Sequence, residues 1–172
     1  YLLFFAIFDK CEVPIFEALL QFGDCERFGS GDRFRFFGRG CFLSDDLRHV
    51  NGNNGCSQSR INRHLAEADL RIITGFIEPH FFAGFSGGPK GIMPGVAALK
   101  TVMSNHGATN IGDPRATFGV CEGNPLWEEL RDIALRAGKS FLINVALNEQ
   151  RAITGVFAGD LIEAHRAGRD FV

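Results

Sequence analysis

The stretch LRIITGFIEPHFFAGFSGGPKGIMPG, residues 70–95, decides the fold. Its first six residues, 70–75, form a short apolar and β-branched run that stops at Gly75, a pattern that predicts a buried strand. Residues 79–95 are rich in glycine and proline, which predicts a loop soon after that strand. Open α/β sheets usually bind their ligands at such loops. The stretch therefore predicts an α/β protein in which the loop after one strand is a candidate ligand site.

Two helices are predicted beside this stretch by the spacing of their apolar side chains. The first begins with Ser59 as its N-cap, and these side chains are expected to share one face: Ile61, Leu65 and Ala68. The second covers residues 95–106, and these side chains are expected to point inward: Val96, Leu99, Val102 and Met103.

The remaining elements follow from capping and turn signals. Asn124, with Pro125 behind it, predicts the start of a helix that ends at Gly138. Residues 140–148 and 152–159 predict two strands joined by a short turn, and thus a hairpin. Asp160 is expected to cap a last helix. Strands that alternate with helices, together with a hairpin, predict an α/β fold with a mixed sheet and flanking helices.

The composition is that of one globular domain. The chain has 172 residues, of which 45% are hydrophobic and 22% charged, so a sizeable core can form. A formal net charge of -2 and a pI of about 6.2 exclude the basic surface of a nucleic-acid-binding protein. The first apolar run, residues 1–8, is too short to span a membrane. We therefore expect neither nucleic acid nor a membrane as a partner.

The cysteines provide no sign of a metal site or a redox motif. Their number is odd and none are spaced as Cys-x-x-Cys, which excludes a zinc knuckle and a thioredoxin motif. Free thiols in a reducing cytoplasm are expected instead. The five residues are Cys11, Cys25, Cys41, Cys56 and Cys121.

Residues 1–50 differ from the rest of the chain. They contain ten of the 18 phenylalanines, yet they show neither strand nor helix periodicity except for a short helix predicted over residues 14–23. We interpret this segment either as a poorly packed remnant or as the product of a shifted reading frame. Residues 51–172 are expected to form the functional domain.

The glycine-rich loop is not a nucleotide-binding P-loop. Pro89 stands where the second glycine of that motif belongs, and Gly91 follows Lys90 where a serine or threonine is required. The glycines nevertheless allow backbone N–H groups to approach a ligand closely. Ser86 adds a hydroxyl and Lys90 adds an amine that is positively charged or nucleophilic. A mobile glycine-rich turn without a ligand explains the same residues, so both interpretations stay open here.

Two histidines flank the loop. Each of them, His80 and His106, is compatible with a structural role when taken alone. Together with Lys90 they predict a site in which a neutral imidazole serves as a metal ligand or as a general base. Three others are expected on solvated surfaces: His49, His64 and His165. Three carboxylates are expected to form the acidic start of a helix rather than a catalytic pair: Glu122, Glu128 and Glu129.

The stretch EPHFFAGFSGGPKGIMPGVAALKTVMSNH, residues 78–106, resembles the signature of the nickel-dependent lactate racemase family, the 2-hydroxyacid racemases and epimerases. INRHLAEADLRIITG before it is similar to the same family, as are GNPLWEELRDIA, FLINVALN and VFAGDLIEAH after it. The resemblance runs from about residue 51 to the C-terminus. It implies the Rossmann-like N-terminal domain of that family and a small 2-hydroxyacid as substrate.

The resemblance also implies a cofactor. In that family it is a nickel-pincer nucleotide, a pyridinium mononucleotide whose ring carbon and two sulfurs hold nickel. By position in the motifs, Lys90 would carry it through a thioamide bond, His106 would be the nickel ligand and His80 would be a catalytic acid/base. The cofactor-binding residues would be Ser86, Gly87, Gly88 and Lys90. The implied reaction is proton-coupled hydride transfer that inverts C2 of the substrate.

The chain departs from the family pattern in three places. Pro89 replaces the usual arginine before the lysine, and the motifs Asp-x-Thr-Arg and Gly-Thr-His-Arg, the latter holding a second acid/base histidine, do not occur. The family's C-terminal domain is expected to be missing after Val172, which would make the chain a fragment. An inactive or truncated remnant that binds nucleotide or metal without turnover therefore stays an alternative. A metal-dependent hydrolase that uses His80 and His106 ranks last, because no carboxylate is placed as a third ligand.

Overall fold

The structure is a computed structural model that describes residues 47–50 and 59–172, all within the compact unit Ser44–Val172. The helix predicted over residues 14–23 lies outside the described residues, as do four of the five cysteines. Of the segment 1–50, the structure describes only residues 47–50, so the interpretation of that segment stays a prediction. The strands are β1 (Leu47–Val50), β2 (Ser59–Asn62), β3 (Ile72–Ile77), β4 (Pro79–His80), β5 (Gly84–Phe85), β6 (Phe141–Leu147) and β7 (Ile153–Asp160). The helices are α1 (Arg63–Ala66), a 3-10 helix (Gly88–Gly91), α2 (Leu99–Asn105), α3 (Ala108–Ile111), α4 (Pro125–Arg136) and α5 (Glu163–Phe171).

The largest described sheet is mixed, as predicted. Its strand order is β3-β6-β7, with β3 parallel to β6 and β6 antiparallel to β7. Parallel neighbours need a long crossover connection, and here that connection contains the glycine-rich loop and α4. The predicted strand at 70–75 is confirmed, but it covers Ile72–Ile77. Gly75 does not end it, because Gly75 pairs with Asn144 in the middle of the ladder.

Local signals predicted the second half of the chain well. The Asn124 side chain accepts hydrogen bonds from the backbone N–H groups of Leu126 and Trp127 at the start of α4. Gly138 follows the end of that helix with a φ of +109°. The hairpin of β6 and β7 is also confirmed. Asp160 ends β7, yet its carboxylate accepts from the N–H groups that open α5, as a cap does.

The helix predicted from Ser59 is wrong over its first half. Ser59 lies in β2, which pairs antiparallel with β1, and its neighbour Ile61 forms a bridge with Ala97. The helix α1 begins only at Arg63, and Asn62 is its cap. These pairings connect residues far apart in sequence, so they override the local helical spacing.

The helix predicted over residues 95–106 is shorter and is rotated. The backbone up to Ala98 runs beside β2, where the Asn62 N–H donates to the Val96 carbonyl at 2.8 Å. Leu99 and Met103 are exposed, by 75% and 62%, rather than inward, whereas Val102 is buried as predicted. The buried side chains of α2 are Thr101, Val102 and Asn105.

Two helices cover the sheet and the loop. Helix α5 packs against β6 and β7, and α4 packs against the 3-10 helix within the loop. The most buried apolar side chains include Ile77, Leu126, Trp127, Leu130, Ile133 and Leu142. The loop is therefore held between the carboxyl end of β3 and these two helices. Among the described residues, no helix is both long and apolar enough to cross a bilayer.

Candidate cofactor site

Ser86 closes the glycine-rich loop onto the end of β3. Its N–H donates to the Glu78 carbonyl at 2.8 Å. Its hydroxyl accepts from the Glu78 N–H at 3.0 Å and donates to the Phe76 carbonyl at 3.0 Å. Between these contacts the chain forms the short antiparallel pair of β4 and β5. The Ser86 side chain thus has a structural role, and its predicted contact with a cofactor stays a prediction.

Gly87 and Gly88 are required because the loop lies directly on its neighbours. Both have positive φ angles, +73° and +53°. A Cβ on Gly87 would lie 2.6 Å from the Asn144 Oδ1 atom, and a Cβ on Gly88 would lie 2.5 Å from the His165 ring. The Gly88 N–H donates to Asn144 Oδ1 at 2.7 Å. These glycines permit close packing inside the protein, a reason that the sequence did not reveal, and their predicted cofactor contact is untested.

Lys90 lies in the last turn of the 3-10 helix and is half-buried. Burial lowers the pKa of its amine to about 8, although Glu78 and the Cys121 thiol partly oppose this change. No carboxylate among the described residues forms an ion pair with the amine. About half of an amine with this pKa is neutral at pH 8, whereas an ordinary lysine is almost fully charged there. Lys90 is thereby suited to nucleophilic attachment of a ligand.

His80 is neutral at pH 7 and holds its hydrogen on Nε2. Burial, followed by the charges of Lys90 and His106, lowers its pKa to about 4. Its Nδ1 accepts a hydrogen bond from the Ala83 N–H at 3.3 Å. Because Nδ1 then supplies a lone pair, the hydrogen of the neutral ring is on Nε2. His80 therefore presents a hydrogen-bond donor at that atom.

His106 has the opposite tautomer. It is the C-cap of α2, and its Nδ1 lies 3.1 Å from the Val102 carbonyl. A carbonyl can only accept, so Nδ1 carries the hydrogen and Nε2 keeps a free lone pair. Burial, the largest cause, lowers the pKa of His106. A neutral imidazole whose second nitrogen donates to a backbone carbonyl is the usual form of a metal ligand.

Phe82 joins the two histidines. Its ring meets the His80 ring edge-on with centroids 4.8 Å apart, and it meets the His106 ring edge-on with centroids 5.5 Å apart. Lys90 interacts electrostatically with both histidines. The structure thus brings together the three residues that the sequence singled out. Phe82 was missed, although it stands between the histidines in the motif and its aromatic character was visible.

His165 was predicted wrongly as a solvated residue. It is 1% exposed, and its Nε2 lies 2.8 Å from the Ser86 carbonyl. Its ring stacks on Trp127 with an interplanar angle of 14°. The helical spacing of Leu161, Ala164, His165 and Gly168, all buried, could have placed it on the inner face of α5. His64 is half-buried, and the side chain of His49 lies outside the described part.

The three carboxylates have structural partners. Glu122 forms an ion pair with Arg169 at 2.9 Å, and Glu128 accepts from the Gly123 N–H at the start of α4. Glu129 accepts from the side-chain amides of Asn105 and Asn110, which hold the turn beside His106. No three His, Cys, Asp or Glu side chains in the described ranges are grouped so that they could hold a metal ion.

The chain is similar in sequence to known proteins. The family model described as the lactate racemase N-terminal domain matches residues 30–119. The lactate racemase of Lactiplantibacillus plantarum is 49% identical over 112 residues, which cover 65% of this chain and 26% of that protein. The lactate racemase of Thermoanaerobacterium thermosaccharolyticum is 44% identical over 112 residues, with the same coverage. The chain thus spans about a quarter of the length of the curated relatives that it matches.

Solved structures show the same fold. The lactate racemase apoprotein from Thermoanaerobacterium thermosaccharolyticum superposes with a TM-score of 0.72 at 38% identity, covering 74% of this chain and 31% of that one. A protein from Thermotoga maritima superposes with a TM-score of 0.63 over 91% of this chain and 42% of its own. At 21% identity, this second likeness concerns the fold alone.

Proposed function

The chain belongs to the lactate racemase family, and we propose that it carries the cofactor site of a 2-hydroxyacid racemase or epimerase. The observation that carries this proposal is the convergence of three side chains. His80 and His106 both contact the Phe82 ring, and Lys90 lies close enough to affect the pKa of each. An amine, an imidazole with a free lone pair and a hydrogen-bond donor are thereby collected near one end of a strand.

Lys90 is the proposed attachment point of a nickel-pincer nucleotide. A thioamide would form by attack of the neutral amine on a thiocarboxylic acid carbon of the nucleotide, with loss of that carbon's oxygen as water. Burial favours the neutral amine because it lowers the pKa of Lys90 to about 8. The loop holds this amine on a short helical turn that is packed against α4. A cofactor attached to such a turn would have fewer accessible orientations than one attached to a flexible side chain in solvent.

His106 is the proposed nickel ligand. Its Nε2 has a lone pair because Val102 fixes the hydrogen on Nδ1. The described residues offer no group of three metal-binding side chains, so His106 would be one protein ligand of a nickel ion that the nucleotide itself helps to hold. When bound, this cofactor supplies reversible hydride acceptance from C2 of the substrate.

His80 is the proposed acid/base residue on one face of the substrate. In the tautomer described, its Nε2–H would donate a hydrogen bond to the C2 oxygen and orient that atom. To take a proton from a C2 hydroxyl at the same atom, the ring must move its hydrogen to Nδ1. In that tautomer the Nδ1–H would face the Ala83 N–H, and the hydrogen bond that fixes the ring would be lost. A residue that returns the proton in one direction of a racemisation must remove it in the other, so His80 would have to give up its contact with the Ala83 N–H to act as the acid/base.

The test is to produce the chain with the enzymes that make the nickel nucleotide. Nickel per chain is measured, and interconversion of D- and L-lactate is followed by chiral chromatography. We expect about one nickel per chain, its loss in His106→Ala, and its retention in the control His64→Ala. Folded protein without nickel contradicts the proposal. Nickel without interconversion is the result for the alternative function, a family remnant that binds the cofactor without turnover.

A further inference from the structure

One buried histidine has no role in the proposed reaction. His165 on α5 is 1% exposed, and its Nδ1 finds no hydrogen-bond partner among the described residues. A buried polar atom without a partner lowers stability. An apolar side chain of similar volume would fill the same space without this cost. The contact made by the other ring nitrogen, Nε2, must therefore explain why a histidine is present here.

That nitrogen binds the glycine-rich loop. Nε2 lies 2.8 Å from the Ser86 carbonyl, which can only accept, so Nε2 carries the hydrogen. Burial lowers the pKa of His165 to about 4, which keeps the ring neutral in this tautomer. The His165 ring also packs closely against Gly88, and it stacks on the Trp127 ring.

A second side chain, from β6, also fixes the loop. The buried Asn144 of β6 accepts from the Gly88 N–H at 2.7 Å. Ser86 and Gly88 are thus each held by a residue that is far away in sequence. Lys90 follows two residues later, and its own N–H donates to the Gly87 carbonyl at 3.1 Å. The position of Lys90 therefore depends on both contacts.

We propose that His165 is a positioning residue: its Nε2–H holds the Ser86 carbonyl and thereby fixes the turn that presents the Lys90 amine. The part of this inference that concerns the cofactor rests on the proposed function, whereas the part that concerns the loop does not. His165 acts on the tether through Ser86 and touches neither substrate nor cofactor.

Two substitutions separate hydrogen bonding from packing. His165→Gln keeps an N–H donor at a similar reach, and His165→Met has a similar length without a donor. Amide hydrogen exchange of Gly88 and Lys90 is compared with that of Leu142 in β6, which reports on global unfolding. We expect exchange of the two loop amides to rise about tenfold in His165→Met and to stay near wild type in His165→Gln. Equal exchange in wild type and both variants would overturn the proposal, as would an equal rise in both variants.

Cofactor loading provides the second measurement. The fraction of chains with a mass increase is expected to fall in His165→Met and to recover in His165→Gln. If wild type loads and His165→Met loads equally well with unchanged loop exchange, the inference is wrong. If wild type does not load at all, the proposed function fails, and the exchange data still decide whether His165 fixes the loop.

The wild-type chain offers a test that needs no variant. Long-range proton–nitrogen NMR correlations distinguish a protonated ring nitrogen from one with a lone pair. We expect Nε2 of His165 to be protonated and Nδ1 to be bare at pH 7. The opposite tautomer, or a charged ring, would overturn the proposal even if both substitutions prevented folding.

Discussion

The contact between Gly88 and His165 allows a direct test of how the loop is packed. Gly88→Ala adds a single methyl group that would lie 2.5 Å, 2.6 Å and 2.9 Å from three atoms of the His165 ring. The ring cannot withdraw easily, because it is held between the Ser86 carbonyl and Trp127. Either the loop or α5 must therefore move.

The expected cost has two parts. A residue with a Cβ in the left-handed region costs about 1–2 kcal/mol, and Gly88 has a φ of +53°. Overpacking against a fixed neighbour costs about 1–3 kcal/mol more. Gly119→Ala is a matched control, because Gly119 has a φ of +75° and no atom within 4 Å of the added methyl group. The control should lose only the first part, so the two variants should differ by about 1–3 kcal/mol.

Urea unfolding measures this difference. Trp127 is the single tryptophan of the chain and is 2% exposed, so its fluorescence reports both unfolding and the contact with His165. We expect a lower midpoint for Gly88→Ala than for Gly119→Ala at an unchanged slope. Adding His165→Ala to Gly88→Ala should cost less than the sum of the two changes, because the smaller side chain relieves the clash. Equal midpoints for the two alanine variants would show that the methyl group added at Gly88 does not clash with His165.

Two further predictions concern stability. Asn124→Ala should lower the free energy of unfolding by about 2–4 kcal/mol, because the buried side chain caps α4 and also donates to the Phe82 and Val120 carbonyls. The control, Asn148→Ala in the exposed turn, should cost under about 1 kcal/mol. Equal urea midpoints for the two variants would contradict this prediction. Folding lowers the pKa of His165 from 6.5 to about 4, so the unfolded chain binds more protons between these values and stability falls as the pH falls. This group alone should contribute a loss of about 2 kcal/mol between pH 7 and pH 5, measured by urea unfolding, and an undiminished loss in His165→Gln would argue against this origin.

The elements that the sequence predicted correctly are those with local signals. Asn124, Pro125 and Gly138 mark the ends of α4 through contacts within a few residues. The hairpin of β6 and β7 has strand residues on both sides of a short turn. Capping and turn chemistry act over such distances, so they can be recognised without knowledge of the fold.

The errors at Ser59 and Leu99 arose in or beside segments that pair with distant parts of the chain, whereas the local helical spacing could have placed His165 correctly. Ser59 has the sequence of a helix cap but lies in β2, because Leu47–Val50 and Ala97 bind its strand. Leu99 was expected to be inward on a helix that was predicted to start too early. Pairing between distant residues depends on the whole fold, and local spacing cannot reveal it.

The candidate site was predicted in part. The motif identified Lys90, His80 and His106, and the structure places them around one aromatic ring. The sequence could not show that Gly87 and Gly88 are needed for packing on Asn144 and His165, because those neighbours lie more than 50 residues away. Close approach of this kind is visible only when the loop, β6 and α5 are seen together.

Attachment of the nickel nucleotide to Lys90 is tested most directly by intact-mass spectrometry of the chain produced with the enzymes that make this cofactor. Lys90→Met removes the amine, and Lys100→Met on the exposed face of α2 is the matched control. We expect a mass increase that corresponds to one nucleotide in wild type and in Lys100→Met, and none in Lys90→Met. An unmodified wild-type chain that is folded, or an increase that persists in Lys90→Met, would contradict this expectation.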